Sequence, residues 1–512
     1  MRISIAYPPI PTDKGAPLIS QNRQFQYFNA PTYIYPMVPA SAATLLKSKG
    51  YAVSWNDGIA SQQTFPEFVA EIEAFHPDLM AVESKTPTIK AMWRAIDALK
   101  ERFPKTIFVL MGDHVTAMPE ESLVQSNVDY VITGGDFDFQ LLALARHFDV
   151  GDPLPKGVYY RESGSIQNTG KFETKGNLEE LPMIDRELTK WWLYAYKNGN
   201  FKYLPGTYSY IGRDCWWRRP AGKDAEGNLR KGGCTFCSWT SIWPNWRTQS
   251  AGKLLDELEY LVSLGIRENF DDTGTLPVGP WLQEFCEGMM QRGLHKKITF
   301  GCNMRAGALT REQYQMMGKA NFRFILYGLE SASQNTLDRI NKGTTPKQME
   351  DAARWASEAG CHPHVTCMVG YPWESYEEAK ATVEFTKSLF QRGYIKTLQA
   401  TVIIPYPGTE LFRQCKENGW LLTEDWDEYD MREPVMKSPI THDQILSLTQ
   451  GIYKSALTPK FVIRELASIR NLDDVKYYWR AGRQFAGHLF DFQAEKGKAV
   501  SPVDRRAVAQ TP

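Results

Sequence analysis

The chain has 512 residues, with 59 basic and 59 acidic side chains, and is 43% hydrophobic and 23% charged. That composition fits a globular protein of two or three domains, and zero net charge argues against a polyanion partner, so no nucleic acid is expected. There is no run of about 20 apolar residues, so no membrane span is expected, and the start MRISIAYPPIP lacks the pattern of a signal peptide. The expected location is cytoplasmic, with the eight cysteines as thiols or metal ligands rather than a disulfide scaffold.

Residues 1–150 alternate short apolar runs with amphipathic segments. Strands are expected at 2–9, 51–58, 78–84, 106–112 and 129–135, and helices at 38–50, from 64 to about 75, and at 88–102. Gly50 marks a helix end, and Thr64, Pro66 and Glu67 spell a capping box with proline in the first turn. The alternation implies βαβ units and a doubly wound parallel sheet, which binds ligands beyond its C-terminal strand ends. Those ends are Pro8–Pro9, Asp57, Ser84–Thr86, Gly112–Thr116 and Gly134–Asp136. No GxGxxG follows the first strand, which disfavours a dinucleotide.

The pattern YPMVPASAATLLKSKGY, the strand end PDLMAVESKT, the segment MGDHVTAMPEESL and the turn VITGG resemble the cobalamin-binding domain that precedes many radical S-adenosylmethionine (SAM) enzymes. The resemblance implies cobalamin contacts at Pro8, Ser84, Thr86, Gly112, His114, Thr116, Gly134 and Gly135. It departs from the family where two glycines usually precede the histidine (here Met111 and Gly112) and where a Gly-Glu-Gly-Glu turn becomes Gly134-Gly135-Asp136-Phe137. Cobalamin proteins with a histidine below the cobalt carry Asp-x-His-x-x-Gly on the first loop. Residues 8–20 hold no histidine, so a lower face without a histidine ligand is expected, and His114 reads as a loop histidine bonded to backbone.

Residues 151–206 carry few signals and read as a linker. A strand at 207–215 then ends in Cys215, and after eighteen residues come Cys234 and Cys237 as a Cys-x-x-Cys pair. Three thiolates suit a structural zinc site or a 4Fe–4S cluster with one open iron. No fourth His or Cys follows until Cys286, which favours the open cluster. Further strands are expected at 267–274, 297–305, 322–331, 362–372 and 397–409. Helices at 250–265, after Thr310, from Thr345 to Gly360 and after Ser375 fall between them. Six βα units make a partial parallel barrel, whose chemistry belongs at the C-terminal strand ends.

A strand ending in cysteine, followed by Cys234-Thr235-Phe236-Cys237, resembles the radical SAM cluster motif, although the family usually has three residues where this chain has eighteen. In order after it come Phe270-Asp271-Asp272-Thr273, Arg305, Gly328-Leu329-Glu330-Ser331, Val369-Gly370-Tyr371-Pro372 and Pro405-Tyr406-Pro407-Gly408-Thr409, each similar to a family motif on successive strands. The resemblance implies cluster ligands Cys215, Cys234 and Cys237, and SAM contacts at Phe236, Asp271, Asp272, Thr273, Arg305, Glu330 and Gly370. It also implies the fold: an α/β chain with an N-terminal Rossmann-like cobalamin-binding sheet (1–150), a linker (151–206), a partial (β/α)6 radical SAM barrel (207–415), a helical C-terminal region (416–493) and a disordered tail (494–512).

Plainer roles stand beside these. Asp271 and Asp272 suit helix caps, Arg305 a surface ion pair, Glu330 a cap, and His362 and His364 structural positions on a strand. Cys286, Cys302, Cys361, Cys367 and Cys415 read as buried thiols, with Cys302 and Cys367 on strands that also suit a place facing substrate. Trp216, Trp217, Trp239, Trp243 and Trp246 suit either interdomain packing or a flat apolar wall. Thr441 and Gln444 open a helix over 441–456, and another is expected at 459–470. The resemblance implies an enzyme that uses a 4Fe–4S cluster, SAM and cobalamin to methylate an unactivated carbon of a small-molecule substrate, with an electron donor such as flavodoxin or ferredoxin. The rival readings are a cyclase or mutase on the same scaffold, or a non-catalytic zinc or corrinoid-binding protein.

Overall fold

The computed structural model describes residues 1–19, 25–29, 31–218, 232–456, 463, 465–467 and 469–491. The N-terminal sheet has seven strands, in the order Ala52–Asp57, Arg2–Tyr7, Leu79–Glu83, Ile107–Met111, Tyr130–Ile132, Val158–Glu162 and Ser165–Asn168. The first four pairings are parallel. Leu79–Glu83 is buried along its whole length and Ile107–Met111 at all but its first residue, as parallel strands covered on both faces require. The chain leaves Arg2–Tyr7 to one side and returns on the other, so the topological switch point lies between that strand and Leu79–Glu83.

The segment 151–206, read from sequence as a linker, is built into the packing of both units. Residues 158–168 form an antiparallel hairpin that extends the first sheet. Arg186 is fully buried; it donates to Thr207 Oγ1 (3.1 Å), Tyr208 O (2.9 Å) and Glu257 Oε1 (2.6 Å), and lies over the Tyr35 ring. One guanidinium thus joins the N-terminal unit to the start of the next.

The second sheet runs in chain order through Gly206–Ser209, Glu268–Asp271, Thr299–Met304, Phe322–Glu330, His362–Val369 and Thr397–Val402, with every pairing parallel. This is the expected six-stranded partial barrel. The capping boxes at Thr64, Thr310, Thr345 and Ser375 form as read. Three helices that the sequence reading did not name, Pro280–Gln291, Gln334–Arg339 and Glu410–Glu417, complete the alternation. The strand expected at 207–215 is shorter: it stops at Ser209, and Gly212–Arg213 turns away to pair antiparallel with Arg247–Thr248.

Helix His442–Ala456 opens at the Thr441 cap and packs by Ile445 against Gly370. Helix Leu472–Asp491 lies at the opposite, N-terminal end of the barrel strands, tied by Lys202–Asp474 (2.6 Å). Of the helix expected at 459–470, residues 463 and 465–467 are described and helical, and 469–470 are described and not helical. The tail 494–512 lies outside the described residues. Among the described residues no helix is long and apolar enough to cross a membrane.

Candidate active site

A cavity of about 680 Å³ runs through the barrel, within the range of small-ligand sites. Cys215, Cys234 and Cys237 all line it, although eighteen residues separate the first from the second. The turn after the first strand explains how Cys215 gets there. Asp214 adopts a left-handed φ of +76°, accepts from Cys215 N through Oδ1 (2.7 Å) and is held by Arg218. The Cys215 thiol then sits 3.3 Å from Thr275 Oγ1. The second half of the motif is a tight turn in which Cys237 N donates to Cys234 O (3.2 Å). It is pinned by Thr235 N to Ile340 O (3.0 Å) and Leu411 N to Thr235 O (2.8 Å).

The loop that leaves Cys215 is anchored before it reaches residue 219. Trp216 Nε1 donates to Leu276 O (3.2 Å) and Trp217 Nε1 to Asn341 O (3.0 Å). Arg305 ends the third strand, lies 4.0 Å over the Trp217 ring and donates to Lys342 O. Lys342 in turn bonds Glu330 Oε1 at 2.7 Å. Glu330 is turned inward by a left-handed φ of +66°, beside a register shift between Gly328 and Glu330. A Cβ on Gly328 would meet this carboxylate and the Lys342 ammonium, so a side chain there would displace the ion pair. Burial pushes the Cys234 thiol pKa up, opposed by the positive charge of Lys342 and Arg305.

Of the expected SAM contacts, Phe236, Asp272, Arg305 and Glu330 line this cavity, whereas Asp271, Thr273 and Gly370 do not. Asp271 is fully buried and accepts from Ser209 Oγ (3.0 Å), Ile211 N (3.1 Å) and Thr273 N (3.1 Å); burial raises its carboxyl to about 6. Thr273 Oγ1 accepts from Gly212 N at 2.9 Å. Both therefore brace the Cys215 turn. Gly370 donates to Glu374 Oε2 (3.2 Å) and packs under Ile445.

None of the eight expected cobalamin residues lines the cavity. They stand at the strand ends, where the barrel and the 151–206 segment pack on them. Trp243 covers Gly135 and donates to Asp136 Oδ1 (3.0 Å), Gly408 faces Ala117, and Phe172 covers Gly134. Thr116 Oγ1 accepts from Gly134 N (3.0 Å) and bonds Gly112 O (2.6 Å). His114 is fully buried and bonds Thr86 Oγ1 (3.2 Å) and Glu121 Oε2 (3.0 Å), and its ring lies against Trp426 at 5.3 Å. Its partners are side chains rather than the backbone. The N-terminal unit reaches the cavity through its first long loop instead, by Leu18, Gln26, Phe28, Thr32 and Ile34.

The sequence reading did not pick out Lys342, Tyr208 or Asn303 on the cavity wall, and it read the cavity-lining His362 and His364 as structural. Both uses of the tryptophans occur: Trp217 and Trp239 line the cavity, and Trp243 packs between the units. None of the eight cysteines is in a disulfide, and Cys286, Cys302, Cys361, Cys367 and Cys415 are buried away from the cavity, so neither Cys302 nor Cys367 faces it. The donor set fits an iron–sulfur cluster, which takes all-thiolate ligation on separate irons. Among the described residues no three His, Cys, Asp or Glu side chains are grouped closely enough for a single ion.

Comparison with known proteins agrees with this geometry. The model of the radical SAM superfamily matches residues 231–386, and that of the B12 binding domain matches residues 28–137. An uncharacterized methyltransferase of Pyrococcus horikoshii is 30% identical over 84% of this chain and 90% of its own length. The anaerobic magnesium-protoporphyrin IX monomethyl ester cyclase of Cereibacter sphaeroides is 25% identical over 80% of this chain and 64% of its own length. The radical SAM methyltransferase TsrM of Kitasatospora setae, solved with cobalamin and a [4Fe–4S] cluster, shares the fold with a TM-score of 0.66 at 12% identity, over 96% of this chain and all of that one. The chain belongs to the cobalamin-dependent, B12-binding-domain family of radical SAM enzymes, whose cofactors are the 4Fe–4S cluster, SAM and cobalamin.

Proposed function

We propose that this enzyme is a C-methyltransferase acting on an unactivated carbon of a small-molecule substrate. One observation carries the reading: the three cysteines and the N-terminal loop residues Leu18, Gln26, Phe28 and Ile34 line the same cavity. A radical source at the thiolates and a methyl carrier on the N-terminal unit then address one space. When bound, these groups supply a hydrogen-abstracting 5′-deoxyadenosyl radical and a transferable methyl group.

The chain's own residues hold and shield them. Cys215, Cys234 and Cys237 are the cluster ligands, and the cations Lys342 and Arg305 offset the negative charge gathered there. Asp272 and Glu330 offer carboxylates to the amino group or ribose of SAM. Phe236, Trp217 and Trp239 exclude water around the radical. Cobalamin meets the cavity through the first loop, with Pro8, Ser84, Thr86, Gly112, Thr116, Gly134 and Gly135 shaping the strand ends behind it. His114, with both ring nitrogens bonded, is a brace and not a cobalt ligand. Flavodoxin or ferredoxin supplies the electron, and eight cysteines without a disulfide suit the reducing cytoplasm.

The test is anaerobic incubation of the reconstituted enzyme with methyl-labelled SAM, cobalamin, reductant and a small-molecule extract of the source cells, read by mass spectrometry. A product carrying a labelled methyl group supports the reading. Release of 5′-deoxyadenosine with no label in any product contradicts it and favours the cyclase reading, which the 25% identical cyclase motivates.

A further inference from the structure

The interior of a parallel barrel is normally filled by layers of side chains. Here the cavity continues past the thiols to the N-terminal ends of the strands, where His362, Lys396 and Thr397 line it together with Tyr477 and Tyr478 of the last helix. The fifth strand shows why. His362, His364, Thr366 and Met368 alternate along it, share one face and all line the cavity. At about 3.3 Å per residue, His364 stands roughly 13 Å below Met368.

The character of the wall changes along that length. Below the charged thiol end, with Asp272, Arg305, Glu330 and Lys342, the middle of the wall is apolar, with Met368, Ile403, Met304 and Leu326, the last paired in register with His364. The lower part offers hydrogen bonds without net charge. Lys396 and Glu465, which line it, pair at 3.1 Å, and Tyr478 donates to the same carboxylate at 2.7 Å. His364 is only 9% exposed, and its Nδ1 is fixed on Thr397 Oγ1 at 2.8 Å. Its Nε2 has no partner among the described residues, and burial lowers the imidazole pKa to about 4, so the ring is neutral. An oriented, neutral ring nitrogen left open on a cavity wall is a ready hydrogen-bonding position for a ligand group.

We propose that the lower half of the barrel is a substrate-recognition site for the far end of an elongated, largely apolar, uncharged molecule, and that His364 is the positioning residue that hydrogen-bonds a hydroxyl group there. The inference rests on the functional reading only in placing the reacting carbon at the thiol end. It predicts that the substrate spans the barrel, with its polar end held about 13 Å from Met368 and its apolar body along the aromatic and methionine side chains.

The test needs no turnover, so it stands apart from the methylation experiment. The full-length, anaerobically reconstituted enzyme is titrated with 4-phenylbutan-1-ol and with n-butylbenzene, and the histidine ring resonances are followed by ¹⁵N NMR. The wild type is expected to bind the alcohol about tenfold more tightly, the ratio one well-made hydrogen bond supplies. The alcohol should also shift the resonance that is missing in the His364→Phe spectrum. His364→Phe should keep the hydrocarbon affinity and lose the preference for the alcohol, and His364→Gln should restore part of it. Equal affinity for the two probes in the wild type, a preference that survives in His364→Phe, or no binding of either probe overturns the proposal.

Discussion

Lys342 Nζ stands 2.7 Å from Glu330 Oε1 in the cavity wall, with 10% and 8% of the two side chains exposed. Removing one partner of such a pair strands a buried charge, at a cost of about 3–5 kcal/mol. Lys342→Met and Glu330→Gln should each destabilise the fold in urea unfolding, Lys342→Met more because methionine donates no hydrogen bond to the stranded carboxylate, whereas glutamine still accepts one from the ammonium. The double variant should cost less than the sum of the two, by about 1–3 kcal/mol. Additive costs would show that the two side chains do not depend on each other.

Gly135 of the cobalamin-side loops packs directly under the Trp243 indole of the cluster-side loop. A methyl added at Gly135 lands on the indole ring, an overpacking worth about 1–3 kcal/mol. Gly135→Ala should therefore lower the melting temperature. The same step in a Trp243→Leu background should cost roughly 1 kcal/mol less.

Glu83 gives the fold a specific pH dependence. Its carboxyl is 2% exposed, accepts from Tyr7 Oη at 2.5 Å, and is raised by burial from 4.5 to about 7. Between those two values the folded chain keeps a proton that the unfolded chain releases, so stability falls as pH rises through the window and is level above it. Glu83→Gln, which stays neutral, should stabilise the protein at pH 8 by up to about 3 kcal/mol, with the gain vanishing near pH 4.5. Denaturant unfolding at the two pH values checks this.

His114 carries a sharper expectation for cobalamin. Both ring nitrogens are already bonded, to Thr86 and to Glu121. His114→Ala should cost about 1–3 kcal/mol of stability through the buried Thr86 and half-buried Glu121 partners it leaves. The absorption spectrum of the bound cobalamin should not change. A shift of that spectrum in the variant would make His114 a cobalt ligand.

Much of the architecture was legible from periodicity and punctuation. The four capping boxes form where Thr64, Thr310, Thr345 and Ser375 stand, and the parallel strands follow the apolar runs. What lay beyond reach was direction. Asp271 and Asp272 are consecutive at a strand end, where neighbouring side chains point opposite ways; one braces the Cys215 turn and the other lines the cavity. Lys342 sits in an ordinary turn after the fourth strand, with nothing local to announce that it meets Glu330. His362 and His364 share a face, but which face looks inward depends on barrel closure and not on their own stretch of chain. The strand-end loops near Gly112 and Gly134 were located, yet their burial under Trp243, Gly408 and Trp426 is a tertiary event.

The central claim is that Cys215 joins Cys234 and Cys237 as a ligand of one cluster across the eighteen-residue insertion. The most direct measurement is the iron and sulfide content and the low-temperature EPR spectrum of the anaerobically reconstituted enzyme, wild type against Cys215→Ala, with Cys367→Ala as a control for an ordinary buried thiol. The account predicts four irons per chain in the wild type and in Cys367→Ala, with a reduced-cluster signal that SAM perturbs. It predicts loss of most of that iron and of the SAM effect in Cys215→Ala. A Cys215→Ala protein that keeps a full cluster and its response to SAM would contradict it.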